Sequence, residues 1–276
     1  MIEPLLSAVS AAGFVLAAMS VVAGIEAAIP LRVRGQWNSL HVRPNLALTL
    51  ITLGSNILLT LPLVIVLVWL ERRNLGAVPL LVSSPIAAAA VGVVLLDFAA
   101  YVAHVAMHRV PAFWRFHSVH HSDPTVDVTT ALRQHPGETL IRYVFMAGCA
   151  IGLGVAPATL AIYRAWQAIN SLLEHANIRL PAQLDRLLAF VVVSPNMHKV
   201  HHSRIEGFTD SNYGNIFSFF DRMLLSFTPP ERELAVAYGL DGFDDSMTQR
   251  TIGLLALPFT GPVGSRAAVS ATQRPA

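Results

Sequence analysis

The sequence predicts an all-α protein: an integral membrane helical bundle with a cytoplasmic, histidine-rich, metal-binding helical cap. Three observations predict it. Charged residues make up only 13% of the 276 and mean hydropathy is +0.54, values unlike those of a soluble domain. Residues 5–25, 44–70 and 74–96 are charge-free, and each run exceeds or matches the ~20 apolar residues needed for one bilayer crossing. Ten of the eleven histidines fall between residues 104 and 202, and six of these form two copies of one spacing, His117-Ser-Val-His120-His121 and His198-Lys-Val-His201-His202.

The elements follow in order. Met1-Ile-Glu-Pro lacks the basic start of a secretory signal, and the apolar run after it is too long for one. We read 5–25 as a signal-anchor helix with an external N-terminus, in preference to a signal cleaved near Ala27-Ala28. Arg32, Arg34 and Arg43 flank the first connection, which places it in the cytoplasm. The second run then leads outward and the third inward, continuing as helix past Asp97. Asp97, Tyr101, His104 and His108 fall at i, i+4, i+7 and i+11, on one helical stripe. Pro111 ends that helix or opens the next. Residues 112–121 carry the first box, and Asp123-Pro124 closes it. Residues 139–173 are apolar but broken by Gly152, Gly154 and Pro157. Two helices of about 15 residues would each rise only ~23 Å, so a tilted or shallow hairpin is expected. It returns the chain to the cytoplasmic side, where the second box must meet the first. Ser194-Pro195 reads as the N-cap and first position of the helix bearing the second box. Residues 252–259 are too short to span and are expected to be interfacial or packed, and the tail 264–276 to be disordered. The organisation is an anchor (1–103), a histidine-box catalytic region containing the hairpin (104–228), and a C-terminal extension (229–276).

Composition excludes some functions. The net charge of +2 and pI near 9.0 do not indicate a nucleic-acid binder, because the arginines are scattered rather than gathered in a stripe. The single cysteine, Cys149, allows neither an intrachain disulfide nor a thiolate metal site. Imidazole suits first-row transition metals, and the boxes supply too many for one tetrahedral zinc. They fit two metal ions with room for a small ligand. Activating dioxygen against an unactivated C–H bond calls for two redox-active metals with open positions. Ligating histidines donate their second N–H to a carboxylate or carbonyl, and Asp97, Asp123, Asp127, Glu138, Glu174 and Asp210 are candidates. His41 sits alone among arginines and is read as an ordinary polar residue. Spacing alone leaves His135 and His175 open.

The run Asp97-Phe-x-x-Tyr101-x-x-His104-x3-His108, followed by Trp114-Arg115-x-His117-x-x-His120-His121-Ser122-Asp123, resembles the fatty acid hydroxylase/sterol desaturase superfamily of membrane diiron oxygenases. Arg133-Gln-His135-Pro136-x-Glu138, Glu174-His175, His198-x-x-His201-His202 and Asp210-x-Asn212-Tyr213-Gly214-Asn215 through Phe220-Asp221-Arg222 resemble it too. The likeness covers about residues 90–228. It implies that His104, His108, His117, His120, His121, His198, His201 and His202 bind metal, and it adds His135 and His175. Asp97, Asp123 and Asp210 are the foremost outer partners. Val105 stands where the family often has Arg, which affects no ligand. The resemblance implies two iron ions, O2 as co-substrate, a lipid drawn from the bilayer, and electrons from a separate ferredoxin- or cytochrome b5-like donor with its reductase. Hydroxylation and desaturation both begin with hydrogen abstraction and are not separable from the ligands. The competing reading is a metal- or haem-binding membrane transporter or scaffold. A transporter would carry polar ligands at mid-membrane on several helices, and a zinc scaffold would need only four ligands.

Overall fold

The computed structural model describes residues 2–32 and 41–260. Arg34 and the tail 264–276 lie outside these residues. In chain order the α-helices are α1 (Ile2–Ala28), α2 (Val42–Arg72), α3 (Ala77–Leu81), α4 (Pro85–Arg109), α5 (Pro111–His121), α6 (Pro136–Leu153), α7 (Pro157–His175), α8 (Ala182–Val191), α9 (Pro195–His201), α10 (Glu206–Thr209), α11 (Phe219–Met223) and α12 (Thr251–Thr260). Two 3-10 turns, Val128–Leu132 and Pro230–Ala235, complete the set. The described residues contain no strands, only three isolated bridges.

Local sequence explains where helices begin. Helices α4, α5, α6, α7 and α9 all open on proline, whose fixed φ suits the first turn and whose missing N–H is not needed there. Ser84 and Ser194 cap α4 and α9 by accepting from the Ala87 and Met197 N–H groups at 3.4 and 3.3 Å. The third long helix starts at Pro85, not near residue 74 as hydropathy implied. Asn74 (φ 52°) and Gly76 (φ 121°) first turn the chain, and the short α3 intervenes.

Helices α1, α2 and α4 are long and apolar enough to cross a membrane. Their outer faces leave Leu58 73%, Ile65 64% and Ile86 83% exposed, a surface suited to hydrocarbon rather than water. The broken apolar region is a hairpin of α6 and α7. The helices have 18 and 19 residues, about 27 and 28 Å each, so the hairpin is deeper than the sequence suggested. Gly154 ends α6 in the left-handed region at φ 64°. A Cβ there would meet the Gly76 Cα at 2.7 Å. The hairpin tip therefore packs against the connection that follows α2. Leu63 and Leu67 of α2, Leu96 of α4, Met146 and Ala150 of α6, and Leu160 and Tyr163 of α7 form the main core.

The other ends of these helices converge. Glu26, at the end of α1, accepts from the Val128 and Asn177 N–H groups at 2.8 and 2.7 Å. Asn45, at the start of α2, donates to Asp123 at 2.9 Å. The C-terminal segment α12 is packed, with Leu254 and Leu257 against Leu48 and Val119. The hairpin thus returns the chain to the end of the bundle where α4 delivers its histidines.

Candidate metal centre

Nine of the ten expected histidines converge, in two groups. His104, His108, His117, His121 and His201 form the first; His120, His175, His198 and His202 form the second. Within each group the nearest ligand atoms lie within 4.8 Å of one another. Helix geometry explains the sorting. His104 and His108 are one turn apart on α4, and His117 and His121 one turn apart on α5, so each pair shares a face. His120 points to the neighbouring group. The second box does the reverse: His198 and His202 serve the second group and His201 crosses to the first. The two boxes exchange one imidazole each, which holds the groups side by side. His121 and His202 stack across the boundary with ring centroids 4.6 Å apart.

The outer partners set the tautomers. His104 Nδ1 donates to the Tyr213 carbonyl at 2.9 Å, His201 Nδ1 to the Ser211 carbonyl at 2.7 Å, and His175 Nδ1 to the Ser171 carbonyl at 2.7 Å. A carbonyl only accepts, so these Nδ1 atoms carry the proton and the Nε2 atoms present lone pairs. His117 Nδ1 meets Glu138 at 3.0 Å and His108 Nδ1 meets Asp210 at 3.3 Å. The Nε2 atoms then face one another: His117 lies 3.1 Å from His104 and 3.2 Å from His121. His175 Nε2 lies 3.1 Å from His120 and His198 and 3.2 Å from His202. Such lone pairs repel unless a cation sits between them. With metal–nitrogen bonds of about 2.1 Å, nitrogens on one ion stand about 3.0 Å apart at right angles and about 3.4 Å apart at the tetrahedral angle. The observed spacings fall in that interval. The donor set fits a first-row transition metal in each group.

Burial, then the neighbouring imidazoles, holds His120, His121, His198 and His202 well below the ordinary imidazole range. Burial likewise pushes His201 down to about 3. These rings are neutral near pH 7, as ligation requires.

The structure places several of the expected residues away from the two groups. His135 joins neither group. It is the N-cap of α6: its Nδ1 accepts from the Gly137 N–H at 2.9 Å and its Nε2 faces the Leu255 carbonyl at 3.2 Å. Asp97 touches no histidine, because its carboxylate accepts from the Ile216 and Phe217 N–H groups at 3.1 and 2.9 Å and from Asn215 at 3.2 Å. Asp123 bonds Asn45 and Thr130 and meets His41 at 3.1 Å, and Asp127 meets the other His41 nitrogen at 3.0 Å. His41 is thus an ordered bridge between two carboxylates. Of the six carboxylates considered, Asp210 and Glu138 meet box histidines directly, and Glu174 lies 3.8 Å from His175 Nδ1 and 4.0 Å from His198 Nε2.

Sequence reasoning singled out the run from Asp210 to Asn215 but not the role of the 211–217 loop behind the histidines. Its carbonyls orient His104 and His201, while Asp97 and Asp221 hold it from either side. Asp221 accepts from the Tyr213 and Gly214 N–H groups at 2.7 and 2.9 Å. A Cβ on Gly214 would meet the Asp221 Oδ2 and Val193 Cγ2 at 2.8 Å, so the loop closes only around glycine. The run Asn212-Tyr-Gly-Asn was the available signal. Arg133, fully buried, braces the cap by donating to the Val119 carbonyl, Asn45, Ser122 and Gln249 at 2.8–2.9 Å.

Two cavities share part of their lining, and of the two only the smaller is lined by histidines of the second group. A small one, about 30 Å³, is bordered by His120, His175, His198 and Glu174. A larger one, about 340 Å³, lies among α1, α2, α6 and α7 with mostly apolar walls. Gln134, Arg142, Gln167 and Ser171 border both.

Comparison with known proteins agrees with this geometry. The fatty acid hydroxylase family profile matches residues 89–226, half of the chain. The chain is 28% identical over 155 residues to alkylglycerol monooxygenase of Caenorhabditis elegans, covering 55% of this chain and 29% of that protein. It is 29% identical over 171 residues to ornithine lipid hydroxylase OlsE of Rhizobium tropici, covering 61% and 49%. It is 31% identical over 132 residues to a cholesterol 25-hydroxylase-like protein of Danio rerio, covering 47% and 51%. The chain thus spans about half or less of the length of these relatives. No solved structure matches it. The profile match covers both boxes and the loop that orients them, and on that ground the chain belongs to the fatty acid hydroxylase family.

Proposed function

We propose that this protein is a membrane-bound diiron oxygenase that hydroxylates a lipid, with O2 as co-substrate. The observation that carries the reading is the pair of imidazole groups, whose lone pairs converge at metal-ligand spacing. His104, His108, His117, His121 and His201 would hold one iron, and His120, His175, His198 and His202 the other. When bound, the irons would supply dioxygen activation and the oxidising power to cleave a C–H bond. The chain's own residues do the rest. Tyr213, Ser211 and Ser171 carbonyls, with Glu138 and Asp210, fix the ring orientations. The apolar cavity receives the lipid and excludes water, and the small cavity borders the metal-facing imidazoles.

Hydroxylation is favoured over desaturation because relatives of this chain are named as hydroxylases and monooxygenases. A transporter is disfavoured by placement, since the histidines gather at helix ends at one end of the bundle. Arg32 and Arg43 near that end support a cytoplasmic catalytic face. A separate ferredoxin- or cytochrome b5-like donor would reach the metals from that face. The test is metal analysis of protein purified from membranes, followed by lipid turnover with an added donor system. Two irons per chain and donor-dependent hydroxylation are expected. One zinc, or no metal, would overturn the reading.

A further inference from the structure

The larger cavity carries a charge imbalance. Its walls are mostly apolar, yet two guanidiniums, Arg142 and Arg164, line it and no carboxylate does. Arg142 is compensated from behind by Glu138 at 3.0 Å. Arg164 is different. Its polar partners are the Asn56 Oδ1 at 2.9 Å and the Met146 Sδ at 4.0 Å, and among the described residues no carboxylate pairs with it. It lies in the middle of α7, among helices that face hydrocarbon. A guanidinium held there without a counter-charge is costly, and an ionisable group at that depth marks a ligand path.

We propose that this cavity binds an anionic amphiphile, with Arg164 and Asn56 holding the oxygens of its carboxylate or phosphate group. The guanidinium fork matches either anion through paired N–H donors. Because the Asn56 oxygen is engaged by Arg164, the Asn56 amide keeps its NH2 for the same ligand. The rest of the molecule follows the wall of α7. Arg164, Gln167 and Ser171 fall at i, i+3 and i+7 and all line the cavity. Ser171 also borders the small cavity beside His175. From Arg164 to Ser171 the helix rises about 10 Å. A ligand anchored at Arg164 therefore presents to the second histidine group a carbon well removed from its anionic end.

The inference deepens the lipid-hydroxylase reading by naming a substrate class, and binding tests it without turnover. The probes are tetradecanoate, tetradecyl phosphate and tetradecanol, added to the full chain in a non-ionic detergent at pH 8. Affinity is read by thermal shift and by direct titration. In the wild-type protein at least one acid binds about tenfold or more tightly than the alcohol, the size expected of a charge-assisted hydrogen bond. The tighter acid identifies carboxylate or phosphate as the recognised group. In Arg164→Met that preference falls to within about twofold while iron content is unchanged, and Arg164→Lys retains part of it. Equal affinity of wild type for acids and alcohol overturns the proposal whatever the variants do, as does an Arg164→Met protein that keeps the preference. Failure of the hydroxylase reading is seen separately, as missing iron or absent turnover in a protein that still prefers acids.

Discussion

At the residue scale, histidines of similar appearance do different work, and the difference lies in what the second ring nitrogen meets. His117 presents Nε2 to its group because Glu138 engages its Nδ1. Glu138→Gln keeps the shape but removes the charge, and partners of this kind change metal affinity or activity by about 10- to 100-fold when altered. We expect a loss of that order in iron retention, measured by metal content after dialysis against a chelator. His135→Ala should behave oppositely. It removes an N-cap, costs about 1 kcal/mol of stability and leaves iron stoichiometry unchanged. Loss of iron in that variant would contradict the assignment. His41 makes a third kind of contact. Burial alone would lower its pKa, but Asp123 and Asp127 outweigh burial and raise it from 6.5 to about 10. Burial alone would raise Asp123, yet His41 and Arg133 hold it well below the usual carboxylate range. A group raised on folding contributes most below its unfolded pKa. The His41 contribution is therefore full below about pH 6.5 and is lost as pH rises toward 10. Thermal midpoints of wild type and His41→Gln should converge across that window; a constant gap from pH 6 to 10 would refute the ion-pair account.

At the element scale, the hairpin decides whether the two boxes meet. Its turn depends on Gly154, where φ is 64° and a Cβ would press on Gly76 and on the Leu75 carbonyl. Gly154→Ala combines left-handed strain with a backbone clash and should destabilise by about 1–3 kcal/mol, read as a lower thermal midpoint. Gly148→Ala, in the same hairpin with nothing near the added Cβ, is the control and should be neutral or slightly stabilising. Equal behaviour of the two variants would show that the tip contact carries no weight. The boxes illustrate how an element sorts ligands. In each, the i and i+4 histidines serve one group and the intervening one serves the other. That alternation follows from 3.6 residues per turn. Which group each box favours depends on how α5 and α9 face each other, which no single helix determines.

At the scale of the molecule, three helices are long and apolar enough to cross a membrane, and with a returning hairpin they would give an odd number of crossings. Reporters attached at residue 2 and after residue 260 should therefore label on opposite sides of the membrane. Labelling on the same side would refute the count. The two histidine groups form where the end of α1, the start of α2, the end of α4 and the base of the hairpin converge. Glu26, Asn45 and Arg133 tie that convergence together through hydrogen bonds from separate elements.

The sequence by itself determined the helical class, the apolar runs and the hairpin break, and it singled out ten histidines, nine of which the fold brings together. These rest on local chemistry: hydropathy, proline and glycine positions, and repeated spacings along a helix. The tertiary structure alone decided the division into groups of five and four, because it depends on how separate helices face one another. It alone assigned His135 to a helix cap and turned Asp97 and Asp123 away from the metal-facing rings, because a side chain's partner is whichever group packing brings within about 3 Å. It also placed the 211–217 carbonyls behind His104 and His201. Every residue has a carbonyl, so composition and spacing carry no trace of which ones a folded loop will aim at a histidine.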